Sequence, residues 1–349
     1  MKSSYKKEDV TLLLKDITGL VKPQSTKERE QLIQSGRHYS EMLPIEYVPS
    51  EAYMEAYRAA LENNAQAVAQ SVGRLADKIL ATRGKEVVLV SLARAGTPVG
   101  ILLKHYIQQK YALDVPHYSI SIIRGRGIDD NAMKYMLKRH RAEDLLFVDG
   151  WIGKGAIARE LEQAVCAYEG VSPELAVLAD PANITELYGT REDILIPSSC
   201  LNSTVSGLIS RTFLRGDIIG KEDFHGAMYY GEWEEKDLSY AFLHAIEERF
   251  EMEILPEQKE FDGCGMDEVK NIAEVYGIED INFIKPGIGE ATRVLLRRVP
   301  WKILINESCS EDPALDHIKK LAEEKKVPVE TYPLAHYKAC GLIKKLADT

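Results

Sequence analysis

The chain alternates between short apolar runs and longer segments in which apolar residues recur at helical spacing. One apolar run of strand type follows Glu86, a second ends at Asp149 and a third begins at Leu175. Segments with helical spacing follow the first two runs after short turns, and residues 51–80 have the pattern of an amphipathic helix. Strands that alternate with helices along a chain form a parallel sheet. The pattern therefore predicts an α/β fold around a parallel sheet.

A second, smaller α/β unit is predicted in the C-terminal part. Residues 250–280 are acidic and contain glycine, which indicates a boundary with one helix. The pattern resumes with a strand at 302–306, a helix at 312–325 and a strand at 327–333. A length of 349 residues agrees with two or three domains. The predicted divisions are residues 1–40 (N-terminal extension), 41–262 (main α/β domain), 263–280 (linker with a helix) and 281–349 (small α/β domain).

The apolar run that ends at Asp149 leads into a turn rich in glycine. Backbone amides in such a turn, together with the N-terminus of the following helix, form a site for phosphate. The spacing matches neither a Walker A loop nor a dinucleotide-binding fingerprint. The strand end is also where open α/β sheets bind ligands, so a phosphorylated sugar or nucleotide is the expected ligand, with an ordinary strand–turn–helix as the alternative. The turn residues are Gly153, Lys154, Gly155, Ala156 and Ile157.

Two further segments combine arginine with glycine. Arg94, Ala95 and Gly96 follow the strand after Glu86, where the guanidinium group is suited to a diphosphate and the glycine lets the backbone approach it. Arg124 and Arg126 lie in a basic loop with glycines that give it flexibility. A plain strand–helix turn and a solvated basic helix face are the alternatives.

In their order along the chain, the segments 94–96, 124–126 and 149–157 resemble those of type I phosphoribosyltransferases. The resemblance implies a parallel sheet with a hood, and transfer of phosphoribose from phosphoribosyl diphosphate to a base or nucleoside-like acceptor. It assigns donor binding to residues 94–96 and 153–157, catalysis to Asp149, Arg124 and Arg126, and an indirect Mg²⁺ contact to Asp149. Gly150 stands where that family has a second acid.

A segment rich in hydroxyl, amide and aromatic side chains follows the third apolar run. In the resembling family this region forms the hood over the acceptor, and groups of this kind fix the orientation of small ligands. For each candidate, a packing or capping role is the alternative. The candidates are Asn202, Ser203, Arg211, His225 and Tyr229.

Residues 40–260 resemble one subgroup in particular. The segment from Pro197 to Thr212 is similar to the phosphoribosyltransferases of tellurite-resistance (ter) stress gene clusters, whose members are sometimes labelled StiP-type cysteine proteases. The expected function is therefore phosphoribosyl transfer in a stress response. Two alternatives stay open: a cysteine protease with Cys200 and His225 as its dyad, and a non-catalytic, nucleotide-sensing regulator that binds RNA, which Gly150 favours.

The C-terminal unit resembles the pelota and kink-turn-binding ribosomal proteins. The resemblance implies RNA binding by Lys285, Gly287, Glu290 and Arg293, while Gly289 replaces the asparagine of that family. Residues 285–302 contain five basic residues and one acidic residue. Clustered cations bind phosphate independently of base sequence, and a solvated helix face is the alternative.

Composition narrows the cellular setting. The formal net charge of −10 argues against indiscriminate coating of nucleic acid but leaves room for a local basic face. The five cysteines are scattered, which predicts neither a disulfide framework nor a zinc site. No signal peptide and no membrane-spanning run is predicted. The expectations are a cytoplasmic protein with no membrane partner, and a homodimer because the resembling transferases often form one.

Overall fold

A computed structural model describes residues 1–257 and 263–343. The predicted boundary at residue 262 and the last six residues of the predicted small domain lie outside the described residues. In the described part the helices are α1 (Thr26–Gln34), α2 (Glu51–Arg83), α3 (Gly96–Tyr111), α4 (Asp130–Leu137), α5 (Ala156–Val165), α6 (Ser239–Glu247), α7 (Gly265–Tyr276), α8 (Ile288–Arg297) and α9 (Asp316–Glu324). The strands are β1 (Thr11–Leu12), β2 (Lys15–Asp16), β3 (Val88–Leu92), β4 (His117–Ile120), β5 (Ile122–Ile123), β6 (Gly127–Ile128), β7 (Leu145–Trp151), β8 (Leu175–Ala179), β9 (Tyr188–Thr190), β10 (Gly226–Ala227), β11 (Ile284–Pro286), β12 (Pro300–Asn306), β13 (Val329–Tyr332) and β14 (Ala339–Ile343).

A six-stranded sheet with all neighbours parallel forms the centre of the N-terminal unit. Its strand order is β1-β4-β3-β7-β8-β9. The strands β3 and β8 are buried along their whole length, which explains why they appear in the sequence as continuous apolar runs. The sheet begins with β1, so residues predicted to be an N-terminal extension are part of this fold.

Helices cover both faces of the sheet. Alternate residues of a strand point to opposite faces. Leu89 and Leu146 therefore join one hydrophobic cluster with α2, α3 and α6, and Val88 and Phe147 join another with α4 and α5. The length of α2 follows from its many alanines, which favour helix and allow close packing on β8 and β9.

The C-terminal unit is a four-stranded mixed sheet with helices. Its strand order is β11-β14-β12-β13, with β12 and β13 parallel and the other two pairs antiparallel. Residues of this unit belong to both hydrophobic clusters, among them Ile288 and Leu295 in the first and Ile284 and Leu304 in the second. The two units therefore share continuous apolar cores.

Candidate functional site

A cleft of about 770 Å³ opens between the two units. Its floor is formed by the turn after β3 and by the end of β7, where the carboxyl ends of parallel strands meet, as in other open α/β sheets. One wall is α8 of the C-terminal unit, and part of the rim is the segment 44–50 that precedes α2. The 3₁₀ turn Pro197–Cys200 lies between them and contributes Ser198 and Ser199 to the lining.

Cations from both units line this cleft. Arg94 is held by Glu46, with 2.7 Å between Nη1 and Oε1, and Arg297 donates to the carbonyl oxygen of Cys200 at 3.1 Å. Burial, with the charges of Arg293 and Arg94, lowers the pKa of Arg297 to about 9. A buried arginine that lies near other cations is stabilised by a bound anion. The basic residues of the lining are Arg29, Arg94, Arg211, Lys285, Arg293, Arg297 and Arg298.

Two of these arginines have buried nitrogens that are available to a ligand. The Nε atoms of Arg211 and Arg297 have no hydrogen-bond partner within the described part of the chain. The Oγ atom of Ser199, also in the lining, is in the same situation. Buried donors that lack a partner are costly, so these groups are suited to an acceptor that enters the cleft.

Asp149 places a carboxyl group on the floor of the cleft. The strand β7 runs through the core, which holds Asp149 at its carboxyl end, and the Gly150 amide donates to its Oδ1 at 2.8 Å. Burial raises the pKa of the Asp149 carboxyl to about 7, although the Gly150 amide and Arg293 act in the opposite direction. Asp149 therefore changes charge near neutral pH.

The predicted phosphate turn lies under the C-terminal unit. Lys154 donates from Nζ to the carbonyl oxygen of Ile284 at 3.1 Å, and Tyr337 donates to the carbonyl oxygen of Gly153 at 2.6 Å. Burial lowers the pKa of Lys154 to about 8. Of residues 153–157, Ile157 contributes to the lining of the cleft. The structure thus places most of this turn in the interface between the units.

The basic loop is an ordered hairpin formed by β5 and β6. Arg126 pairs with Glu41 at 2.7 Å, and Arg124 donates from Nη1 to Asn282 at 3.3 Å. Neither arginine lines the cleft. The structure therefore separates these two predicted catalytic residues from Asp149, the third.

The five predicted acceptor residues do not meet in one place. Asn202 and Arg211 line the cleft, whereas Ser203 is fully buried. His225 is buried with Nδ1 2.9 Å from the Ser121 hydroxyl. Tyr229 donates to Glu234 at 2.9 Å on an exposed part of the surface.

The predicted Cys200–His225 dyad is not formed. Cys200 is fully buried, and burial raises the pKa of its thiol to about 12. Within the described residues, no hydrogen bond joins Cys200 to His225, whose ring contacts Ser121. A thiol that is protonated and enclosed is a poor nucleophile. The prediction of a dyad is therefore wrong for this structure, in which Cys200 is a buried residue next to Ser199 of the cleft lining.

Three of the four predicted RNA-binding residues line the cleft. They are Lys285, Glu290 and Arg293. The fourth, Gly287, lies at the start of α8 with a φ of 96°, where a side chain would also come within 3.2 Å of Asp193. Asp193 accepts hydrogen bonds from the backbone amides of Ile288 and Lys338 at 3.0 and 2.9 Å, which fixes the C-terminal unit to the sheet.

Some lining residues were not singled out from the sequence. Glu46, Tyr47 and Trp151 belong to no motif, and tertiary contacts alone bring them to the cleft. Arg297 and Arg298 were visible as members of the basic stretch 285–302, although not as site residues.

Two family models match successive parts of this chain. The first, described as "Tellurite-like stress resistance cysteine protease StiP", matches residues 3–247, and the second, described as "PELOTA RNA binding domain", matches residues 263–345. A curated relative, the cysteine protease StiP of Acinetobacter baylyi, is 37% identical over 366 aligned positions that cover 98% of this chain and 94% of the relative. The chain belongs to the StiP family. This StiP-family protein also matches the pelota domain over residues 263–345, which confirms the resemblance of its C-terminal unit to that family.

Among solved structures, two crystal structures of a hypoxanthine-guanine phosphoribosyltransferase from Bacillus anthracis are similar to part of the chain. Each is 17% identical with a TM-score of 0.28, and each match covers 36% of this chain and 76% or 77% of the other. A likeness at this level carries no argument about function.

The expectation of phosphoribosyl transfer is wrong. The family model and the curated relative both name a cysteine protease, which favours the protease alternative instead. The comparisons also give no support to phosphoribosyl diphosphate, its acceptor or a homodimer. The donor and acceptor roles given to residues 94–96, 153–157 and 202–229 depended on that reaction, and those roles are withdrawn with it.

Two further expectations concern a metal and a membrane. Among residues 1–257 and 263–343, no group of three or more His, Cys, Asp or Glu side chains is arranged to hold a metal ion. The Mg²⁺ contact of Asp149 stays a prediction, and its cationic surroundings suit an anion better. No described helix is both long and apolar enough to cross a bilayer.

Proposed function

We propose that this StiP-family protein binds RNA in the cationic cleft between its two units. The match to a pelota RNA-binding domain gives the ligand class. The observation that carries the proposal is the group Arg94, Arg293 and Arg297, which come from both units and line one cleft. Burial, with the charges of Arg293 and Arg94, lowers the pKa of Arg297. Phosphate groups would relieve that repulsion, and they would accept hydrogen bonds from the unpaired Nε of Arg297.

The test is RNA affinity as a function of salt concentration. Arg298 is exposed at the mouth of the cleft and Arg293 is half-buried in its wall, so both can be removed with little effect on the core. For a single strand, removing a cation that neutralises one phosphate should reduce the slope of log K against log salt by about 0.7. Fluorescence anisotropy with a labelled RNA should therefore show weaker binding and a shallower slope for Arg293→Ala and Arg298→Ala.

The matched control is Arg139→Ala. Arg139 is exposed, packs its guanidinium group on the ring of Tyr135, and is not part of the lining. This variant should keep the affinity and the slope of the unmodified protein. If all three variants behave alike, the cleft is not the RNA site.

The second candidate function is a cysteine peptidase, which the family description and the curated relative favour. Cys200 adjoins Ser199 at the cleft, but its thiol is enclosed, so peptidase chemistry there requires a rearrangement that exposes it. A thiol-directed inhibitor should then label Cys200, and Cys200→Ala should abolish peptide hydrolysis while Cys166→Ala, at an exposed cysteine, leaves it intact. Hydrolysis that survives replacement of Cys200 and of His225 would exclude this dyad.

A further inference from the structure

We infer that the cleft takes RNA as a single strand, with one unstacked base lying on the ring of Tyr47. This inference rests on the proposed RNA binding and specifies the form of the ligand. It follows from the presence of an exposed aromatic side chain at the rim of a cleft whose walls are cationic.

Tyr47 is 70% exposed, the largest exposure of any tyrosine or tryptophan that the structure describes as exposed. Single exposed apolar residues are common on proteins. Here, however, Ile45 and Val48 are exposed beside Tyr47, and all three contribute to the lining of the cleft. The apolar rim therefore faces the same space as the arginines.

The two residues that precede Tyr47 anchor the rim segment. The amide of Ile45 donates to the carbonyl oxygen of Gln24 at 2.9 Å. Glu46 pairs with Arg94 at 2.7 Å and accepts from the amide of Ser203 at 3.2 Å. A ring presented on an anchored backbone loses little conformational entropy when a base stacks on it.

Aromatic rings beside a cationic groove are the usual means of binding single-stranded nucleic acid. The bases stack on the rings while arginine and lysine follow the backbone. Arg211, Arg293 and Arg298 line the same cleft as Tyr47. Arg298 is exposed there, Arg293 lies 3.8 Å from Glu290, and Arg211 donates from Nη2 to the carbonyl oxygen of Met42 while its Nε has no partner among the described residues. In a duplex the bases are stacked on one another and their faces are not accessible, so a duplex cannot use this ring.

The size of the cleft agrees with this ligand. Pockets for small molecules have volumes of about 300–1,000 Å³, and this cleft has about 770 Å³. It can admit a splayed nucleotide of a single strand, whereas a double helix can touch only its mouth. A peptide would also use the apolar rim, but the lining has seven basic residues against three acidic ones (Glu46, Asp149 and Glu290), which favours a polyanion.

The experiment compares a labelled, unstructured single-stranded RNA with a hairpin duplex of the same length, on the full chain. The unmodified protein should prefer the single strand. Tyr47→Ala should weaken single-strand binding roughly 5- to 150-fold, the range for loss of one base–aromatic stack. Tyr47→Phe should retain binding because it keeps the ring. Tyr111→Ala, which removes an exposed tyrosine at the end of α3, should have no effect.

The outcomes separate this inference from the proposed function. RNA binding that is sensitive to Arg293→Ala but indifferent to Tyr47→Ala, or equal for hairpin and single strand, would overturn the inference and leave the proposed function standing. Absence of RNA binding even at low salt would overturn the proposed function itself. Competition by a nucleoside monophosphate at the same affinity as the strand would show that the cleft is a nucleotide site. Loss of peptide binding alone in Tyr47→Ala would assign the rim to a peptide.

Discussion

Asp149 lies on the floor of the cleft with a pKa of about 7. Above that pH it adds a negative charge where phosphate groups are expected, and below it the carboxyl is neutral. RNA affinity should therefore fall as the pH rises from 6 to 8, by up to about fivefold if the added repulsion is roughly 1 kcal/mol. Asp149→Asn should bind with little pH dependence and more tightly than the unmodified protein at pH 8. Anisotropy titrations at the two pH values check this, and an unchanged pH profile in the variant would contradict it.

The same carboxyl predicts a pH-dependent effect on stability. Its pKa is raised on folding from 3.8 to about 7, so the unfolded chain loses this proton at lower pH than the folded chain does. The folded state is then penalised increasingly as the pH rises from about 4 to 7. Asp149→Asn should raise the melting temperature at pH 8 and have little effect near pH 4.

Asp144 provides the control of opposite sign. Its hydrogen bond with Arg141 lowers its pKa, so its ionised form stabilises the fold at neutral pH. Asp144→Asn should lower the melting temperature at pH 8 or leave it unchanged, since the pair is partly exposed. If both variants shift the melting temperature in the same direction, the account of Asp149 is wrong.

At the scale of single residues, position in a strand was easier to predict than accessibility. The position of Asp149 and Arg94 at the cleft could be predicted, because strand ends and the turns after them are local features of the sequence. Lys154 was expected at a phosphate but donates to Ile284, more than a hundred residues away. Tyr47 follows no pattern, because its role at the cleft depends on where the C-terminal unit packs.

At the scale of elements, α8 depends on an acidic residue of the other unit. Asp193 accepts from the amides of Ile288 and Lys338; the first contact is buried and the second is partly buried. Asp193→Ala leaves the buried amide of Ile288 without a partner, at about 1–3 kcal/mol, and removes the hydrogen bond of the partly buried Lys338 amide, at about 1 kcal/mol. The free energy of unfolding should therefore fall by roughly 2–4 kcal/mol. Urea denaturation of the variant and of the unmodified protein measures this difference in the free energy of unfolding.

Asp280→Ala is the matched control for this prediction. Asp280 accepts from the amide of Asn282 at 2.8 Å at a 3₁₀ helix on the surface. Its loss should cost about 1 kcal/mol, as for other N-cap residues. Equal effects of the two replacements would mean that Asp193 does not hold the units together.

The strands and helices themselves follow well from the sequence, because their apolar spacing is local. The helix expected over 51–80 is observed as Glu51–Arg83, and the strand expected over 302–306 as Pro300–Asn306. The function of the glycine turn before α5 was not predictable in the same way. A phosphate turn and a turn that packs against another unit have the same local pattern, and only the position of β11 and β14 distinguishes them.

At the scale of the molecule, an acidic chain presents a basic cleft. The formal net charge of −10 disfavours association with polyanions over the surface as a whole. The cations of the lining come from segments more than 200 residues apart, such as Arg94 and Arg297. Binding in the cleft therefore requires both units in their mutual arrangement, and it should be lost when that arrangement is lost.

The arrangement of the units predicts a single unfolding transition. Both hydrophobic clusters contain residues of both units, so neither unit can unfold without exposing apolar surface of the other. Trp151 belongs to the N-terminal unit, where it lies at the contact with Gly289 of the C-terminal unit, and Trp301 belongs to the C-terminal unit. Two variants each keep one of these tryptophans: Trp233→Phe with Trp301→Phe keeps Trp151, and Trp151→Phe with Trp233→Phe keeps Trp301. The fluorescence of the two variants should show transitions of the same steepness in urea. When the secondary structure of each variant is followed by circular dichroism, its midpoint should coincide with that of its tryptophan. A tryptophan transition that precedes the loss of secondary structure would show that the units unfold separately, and the cleft would then be a site between independently moving parts.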